Sequence, residues 1–356
     1  MSSNLPDWLS QSDFPYNATE IQQELERKKQ TPTNPAIRLL LVIGVFLGSI
    51  FLFGALFMMG FQESMIGVLM IGIASVAGGL MVNRKSRSEV YDTIAVSVIL
   101  MGCACLAEVV AEWLVDTPLG IPVMALVALV IVVLSYGFVL PFLGTIGFFT
   151  ALFLWFAMEE FPLGMSVLYT ILCVGITLMY LGEAEILAKL RPRARLFDPV
   201  RLGSLISVII GLLFFTPSYF PDFLTRSQLP YFVFYFSVPT TLLCLYTIYY
   251  LTPSLGVRSS TAQWGVLLLF IVILSFFLYA PAVSLTLLLL FLTFYGRHPT
   301  GIVLSFLSLC IAVTYYYYEL HYTLLTKSVI LMLTGLLFLM GYWFINRHLH
   351  HHEENS

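Results

Sequence analysis

The chain has 356 residues, 59% of them apolar and 10% charged, with a formal net charge of -3. Ordinary soluble domains carry roughly 25% charged residues, so this composition, with a mean hydropathy of +0.91, argues against a soluble enzyme or a nucleic-acid binder. The reading is all-α: a polytopic transmembrane helical bundle. The apolar runs are continuous rather than alternating, which suits spanning helices and not barrel strands, and helices satisfy their own backbone hydrogen bonds in hydrocarbon.

Residues 1–35 are polar and read as a cytoplasmic tail, with no cleaved signal peptide expected. Residues 18–29 form a helix candidate, capped by Asn17 with Glu20 three residues on and ending in Arg27, Lys28 and Lys29. This suits a short amphipathic helix on the membrane surface or a partner-docking segment.

Twelve apolar runs follow, at 37–59, 64–82, 92–115, 121–139, 142–157, 163–181, 202–215, 231–251, 262–279, 282–295, 301–318 and 327–345. Runs 142–157, 202–215 and 282–295 are shorter than the roughly 20 residues of a straight span, so the expected number of helices is about 12, within 10 to 12. Lys and Arg favour cytoplasmic loops. Twelve crossings with both termini cytoplasmic put 15 of the 17 cations on the inner side and leave only Arg226 and Lys327 outside. The expected organisation is a tail at 1–35, a six-helix half at 36–181, a basic cytoplasmic loop at 182–201, a second six-helix half at 202–346 and a His-rich tail at 347–356. Trp113 and Trp155 at outer ends and Trp264 and Trp343 at inner ends fit interfacial anchors. Leu140-Pro141-Phe142 and Tyr279-Ala280-Pro281 join neighbouring runs almost directly.

Glu108 and Glu112 are the carboxylates clearly within an apolar run. Four apart, they share a helix face that Ser97, Met101 and Cys105 continue inward. A carboxylate in a span is costly and marks a candidate proton or cation site; the other reading is a hydrated pair near the outer interface. In the basic loop, Lys189, Arg191, Arg193, Arg195 and Arg201 read as a topological anchor contacting anionic lipid.

The outer side carries Glu63, Asp116, Glu159, Glu160, Asp222 and Glu319. A candidate outer-face cluster joins Glu159 and Glu160 to Tyr316, Tyr317, Tyr318, Glu319, His321, Thr323, Lys327 and Ser328. Lys327 opens the last helix, where the dipole disfavours a cation, and this points to a carboxylate partner such as Glu319 or Glu160.

Tyr316-Tyr317-Tyr318, Leu320, Thr323-Leu324-Leu325 and Lys327-Ser328, followed by an apolar helix ending in Arg347, resemble the C-terminal signature of a bacterial integral-membrane family catalogued as domain of unknown function 4401. The helix layout is similar over about 37–347. The resemblance implies no established activity, and it implies a complex with another small membrane protein. Separately, Gly79, Arg84 and Arg87 resemble the loop signature of major-facilitator transporters, with Asn83 and Ser86 where that signature has an acid and a glycine.

All five cysteines lie in apolar runs and read as packing residues. His348, His350, His351 and His352 in the tail lack the supporting shell of a specific metal site. No cofactor, metal site or catalytic residue is expected. The leading expectation is a non-catalytic subunit of a membrane complex. The alternatives are a proton- or cation-coupled solute carrier using Glu108 and Glu112, and an intramembrane enzyme.

Overall fold

The computed structural model describes residues 64–85, 89–113, 120–159, 161–214, 229–253, 260–277 and 281–319, with isolated positions within 44–58 and 328–340. Residues 1–59 and 60–356 form separate compact units. In the first unit the described positions, Gly44, Leu47, Gly48, Phe51, Gly54, Ala55 and Met58, are helical and exposed.

The second unit is all-helical over the described residues: α1 (Met65–Lys85), α2 (Glu89–Trp113), α3 (Gly120–Leu134), α4 (Val139–Met158), α5 (Pro162–Leu181), α6 (Glu183–Leu190), a 3-10 segment (Arg191–Leu196), α7 (Phe197–Phe214), α8 (Leu229–Leu251), α9 (Ser260–Phe276), α10 (Pro281–Tyr295) and α11 (Pro299–Glu319). Among the described residues, four stretches are long and apolar enough to cross a membrane: Met65–Arg84, Tyr91–Glu112, Val139–Met158 and Leu163–Leu181. Their outward faces carry large apolar side chains, among them Met70, Leu100, Leu154 and Ile171. That pattern is expected where the surrounding solvent is hydrocarbon.

Two cores organise these helices. The smaller joins α1 and α2, through Val76, Leu80, Ala95 and Ile99, to Ile131 of α3 and Leu140 of α4. The larger is built from α5, α7, α8, α9 and α10, with single residues from α4 and α11. At its centre α10 is buried from Val283 to Leu289. Gly102 sets the approach of the α1 and α2 backbones: a Cβ there would lie 2.9 Å from the carbonyl oxygen of Gly72 and 2.9 Å from the amide nitrogen of Val76.

Helix boundaries depart from the hydropathy runs where proline or charge is involved. The fourth run, expected to reach residue 139, ends at Leu134, and the break falls at 135–138. Pro141 stands inside the first turn of α4 rather than in the connection, because the first helical turn does not need its N–H. Pro281 and Pro299 open α10 and α11 in the same way. Gly137 turns the break with φ +85, a conformation that side chains resist.

The stretch at 182–201, expected as a loop, is helical for most of its length. α6 starts on Glu183 and Glu185 and ends with Lys189, the charge order that suits its dipole. Pro192 coincides with the change to 3-10 geometry. α7 then begins five residues before the run expected at 202, so Arg201 is a helical residue and is only 4% exposed.

Candidate functional site

The charged residues of the described chain concentrate at one end of the bundle. There the ends of α1, α3 and α5 meet the starts of α2, α4, α6 and α7. Two polar clusters form, and neither is local in sequence.

The first is centred on Tyr136, in the break between α3 and α4. Its backbone N–H donates to Asn83 Oδ1, and Asn83 Nδ2 donates to Asp92 Oδ1 at 3.0 Å. Asp92 lies under the turn, since a Cβ on Gly137 would sit 3.3 Å from its Oδ2. Arg84 Nε donates to the Leu134 carbonyl at 3.3 Å, and its guanidinium carbon is 5.9 Å from the centre of the Tyr136 ring. Arg195, from the 3-10 segment, stacks on the same ring with its guanidinium carbon 3.4 Å from the centre. Hydrogen bonding and charge from Arg195, with a smaller contribution from Arg84, hold the Tyr136 phenol below its ordinary pKa.

The second cluster surrounds Arg201. Its Nη1 donates to Glu183 Oε2 at 3.0 Å and its Nη2 to Asp198 Oδ1 at 2.7 Å. The guanidinium carbon is 5.1 Å from the ring centres of both Tyr180 and Phe197. Arg201 Nε and the Tyr180 hydroxyl are buried without hydrogen-bond partners. The turn between α10 and α11 closes on Tyr180: a Cβ on Gly296 would fall 2.7 Å from its Cδ1. Arg201 therefore joins α5, α6 and α7 at the base of the larger core.

Beside the Tyr136 cluster, a groove of about 620 Å³ runs between α2, α3 and α4. Its wall is almost wholly apolar, with Thr150 the polar residue that α4 contributes. Ala128 on α3 and Gly147 on α4 leave room along it, whereas Gly144 lets the two helices approach, since a Cβ there would lie 2.9 Å from Val132 Cγ2.

The acidic pair lies on α2, toward its end at Trp113. Glu108 and Glu112 are both exposed, whereas Ser97 and Cys105 of the same helix are buried. Direction does not separate them, since at about 100° per residue Glu108 and Glu112 point between Ser97 and Cys105. Cys105 turns toward α1, where a Cβ on Gly72 would meet its Cβ at 3.3 Å. Neither carboxylate makes a hydrogen bond or ion pair among the described residues. Glu112 ends the apolar span Tyr91–Glu112, and Glu108 lies about 6 Å inside it at 1.5 Å per residue.

Of the outer-face cluster, Glu159 caps the end of α4 and is exposed, and Ser328 is helical and exposed. Tyr316, Tyr317, Tyr318 and Glu319 form the last turn of α11. Glu160, His321, Thr323 and Lys327 lie outside the described residues, as do the four tail histidines. Among the described residues no group of three or more His, Cys, Asp or Glu could hold a metal ion. In the basic stretch Lys189 and Arg193 are exposed and Arg191 opens the 3-10 segment.

The family model described as Domain of unknown function (DUF4401) matches residues 35–348, nearly the whole chain. The protein belongs to this family. The match takes in the helices of both cores, the Tyr136 and Arg201 clusters and the groove. No curated protein matches the chain. The DUF4401 assignment, with its apolar helices, makes this a membrane-associated helical protein. Two features at the basic end escaped the sequence reading, the convergence on Tyr136 and the burial of Arg201. Asn83 was noted only as a departure from a transporter loop, yet it organises the first cluster.

Proposed function

We propose that this DUF4401 protein is a non-catalytic subunit of a membrane complex in the bacterial inner membrane, with its basic end in the cytoplasm. The contact surface is the face of α2 that carries Glu108 and Glu112. The partner is a spanning helix that brings a Lys or Arg side chain to the two carboxylates.

The observation that carries this reading is the exposure of both glutamates on an apolar helix. A carboxylate at the centre of a span costs roughly 2.5–3.5 kcal/mol, and Glu108, one turn inside the span, bears part of that cost. A basic partner offsets it. Carboxylates lining a transport path between the described helices of this unit would instead be enclosed by them, so their exposure among those helices supports the subunit reading over the carrier reading. The positions of 15 of the 17 cations support the orientation.

The test is gentle extraction from native membranes. Wild type is expected to co-purify with one stoichiometric partner, and a variant carrying Glu108→Gln and Glu112→Gln to lose it while keeping its own unfolding temperature. A monomer from wild-type membranes, or a partner indifferent to both substitutions, would refute the reading. A pH-dependent flux in proteoliposomes that Glu108→Gln abolishes would establish the carrier instead.

A further inference from the structure

We infer that the basic end of the bundle holds one anionic phospholipid, its phosphate between Arg84 and Arg195 and one acyl chain in the groove of α2, α3 and α4. This does not rest on the subunit reading. It joins two observations, a pair of like charges brought to one place and an apolar channel that begins beside them.

Arg84 and Arg195 come from segments 111 residues apart, and both reach the Tyr136 ring. Two guanidinium groups on one exposed ring repel each other, and the nearby acid, Asp92, is engaged by Asn83. Against the charge of Asp92, the two guanidinium groups leave this cluster net positive. Arg84 donates its Nε to the Leu134 carbonyl. Guanidinium groups present paired donors that match phosphate oxygens.

The groove starts close by. Ile131 and Leu140, which line its near end, flank the break that contains Tyr136. From Leu140 to Met158 the wall extends about 27 Å at 1.5 Å per residue, ample length for an acyl chain entering at its near end. The channel is apolar and the arginine cluster gathers at the 135–138 break that its near end flanks, an arrangement that suits a phospholipid.

Native mass spectrometry of the delipidated protein, offered phosphatidylglycerol or phosphatidylcholine with identical oleoyl chains, tests this. Wild type is expected to retain one phosphatidylglycerol in clear preference to phosphatidylcholine. Arg84→Gln and Arg195→Gln should each reduce that preference about fivefold. Gly147→Leu should reduce retention of both lipids, because a Cβ there meets only Ala128 Cβ at 3.7 Å and the longer side chain enters the channel. Cys103→Phe fills the channel from the facing helix and should act alike, which guards against a folding defect peculiar to one variant. Equal retention of the two lipids by wild type would overturn the inference. So would competition by inorganic phosphate combined with unchanged retention in both filled variants, since the site would then bind a free anion without a chain.

Discussion

Arg195 stacks on Tyr136 with 3.4 Å between its guanidinium carbon and the ring centre, although 59 residues separate them in sequence. Arg195 favours the phenolate, so the Tyr136 phenol is expected to titrate below the ordinary value of about 10. Arg195→Gln should move it back up, and Arg84→Gln should move it less. Tyrosine resonances assigned with Tyr136→Phe would report both shifts. The sign of the linkage follows. With the folded-state pKa lowered, the unfolded chain binds more protons over the interval between the two pKa values. Stability from this contact is gained as pH rises through that interval and is lost as pH falls through the folded pKa. A phenol that titrates at the same pH in wild type and Arg195→Gln would show that the stacking has no electrostatic consequence.

Arg201 predicts a different balance. Its side chain is 5% exposed, whereas those of Glu183 and Asp198 are 39% and 62% exposed. Removal of the arginine leaves two carboxylates that water can reach, so the full cost of an orphaned buried charge does not apply. The loss comes from packing against Tyr180 and Phe197 and from the hydrogen bonds. Arg201→Ala should destabilise by roughly 2–3 kcal/mol. Asp198→Asn should cost under about 1 kcal/mol, because that partner is mostly solvated. Thermal unfolding in detergent measures both, and an Asp198 variant as damaged as the Arg201 variant would contradict this ranking.

The contact of α1 with α2 rests on an absent side chain. At Gly102 a Cβ would approach Val76 Cγ2 to 2.8 Å and the α1 backbone to 2.9 Å, whereas one on Gly78 meets nothing within 4 Å. Gly102→Ala should therefore separate the helices at a cost of about 1–3 kcal/mol. Gly78→Ala should be neutral or stabilising by up to about 1 kcal/mol through its effect on the unfolded chain. Unfolding temperatures of the two variants should move in opposite directions or one should not move. Equal destabilisation would mean that the loss is one of backbone freedom and not of helix contact.

Hydropathy located the helices well where charge and proline were remote. The runs at 64–82 and 163–181 correspond to Met65–Lys85 and Pro162–Leu181. It failed at Arg201, since a window that ends on a charge cannot see that Glu183 and Asp198 neutralise it. It failed again at the end of α3, where the apolar residues Tyr136 and Phe138 extend the run past a break made by Gly137. The basic cluster was legible as composition, but its contacts were not. Tyr136 lies in a different segment, and no local period connects residue 136 to residues 84 and 195. Glu108 and Glu112 were correctly placed on one helix, while their exposure depends on neighbouring helices that no local pattern names.

The five cations of 189–201 now divide by contact, and the division predicts separable effects. Lys189 and Arg193 are exposed, Arg195 stacks on Tyr136 and Arg201 is buried. Charge retained at a loop fixes orientation whether or not it makes a contact. Neutralising Lys189, Arg191 and Arg193 together should therefore disturb insertion, read as altered accessibility of cysteines introduced on either side of the membrane. Arg195→Gln alone removes one charge of the group and should leave orientation unchanged. Arg195→Lys separates the two roles further. It keeps the charge and loses the planar stacking on Tyr136, because an ammonium lacks the guanidinium plane. Wild-type orientation with a raised Tyr136 pKa in that variant is the expected result. Altered orientation in Arg195→Lys would show that the contact with Tyr136, and not the charge, fixes the topology here.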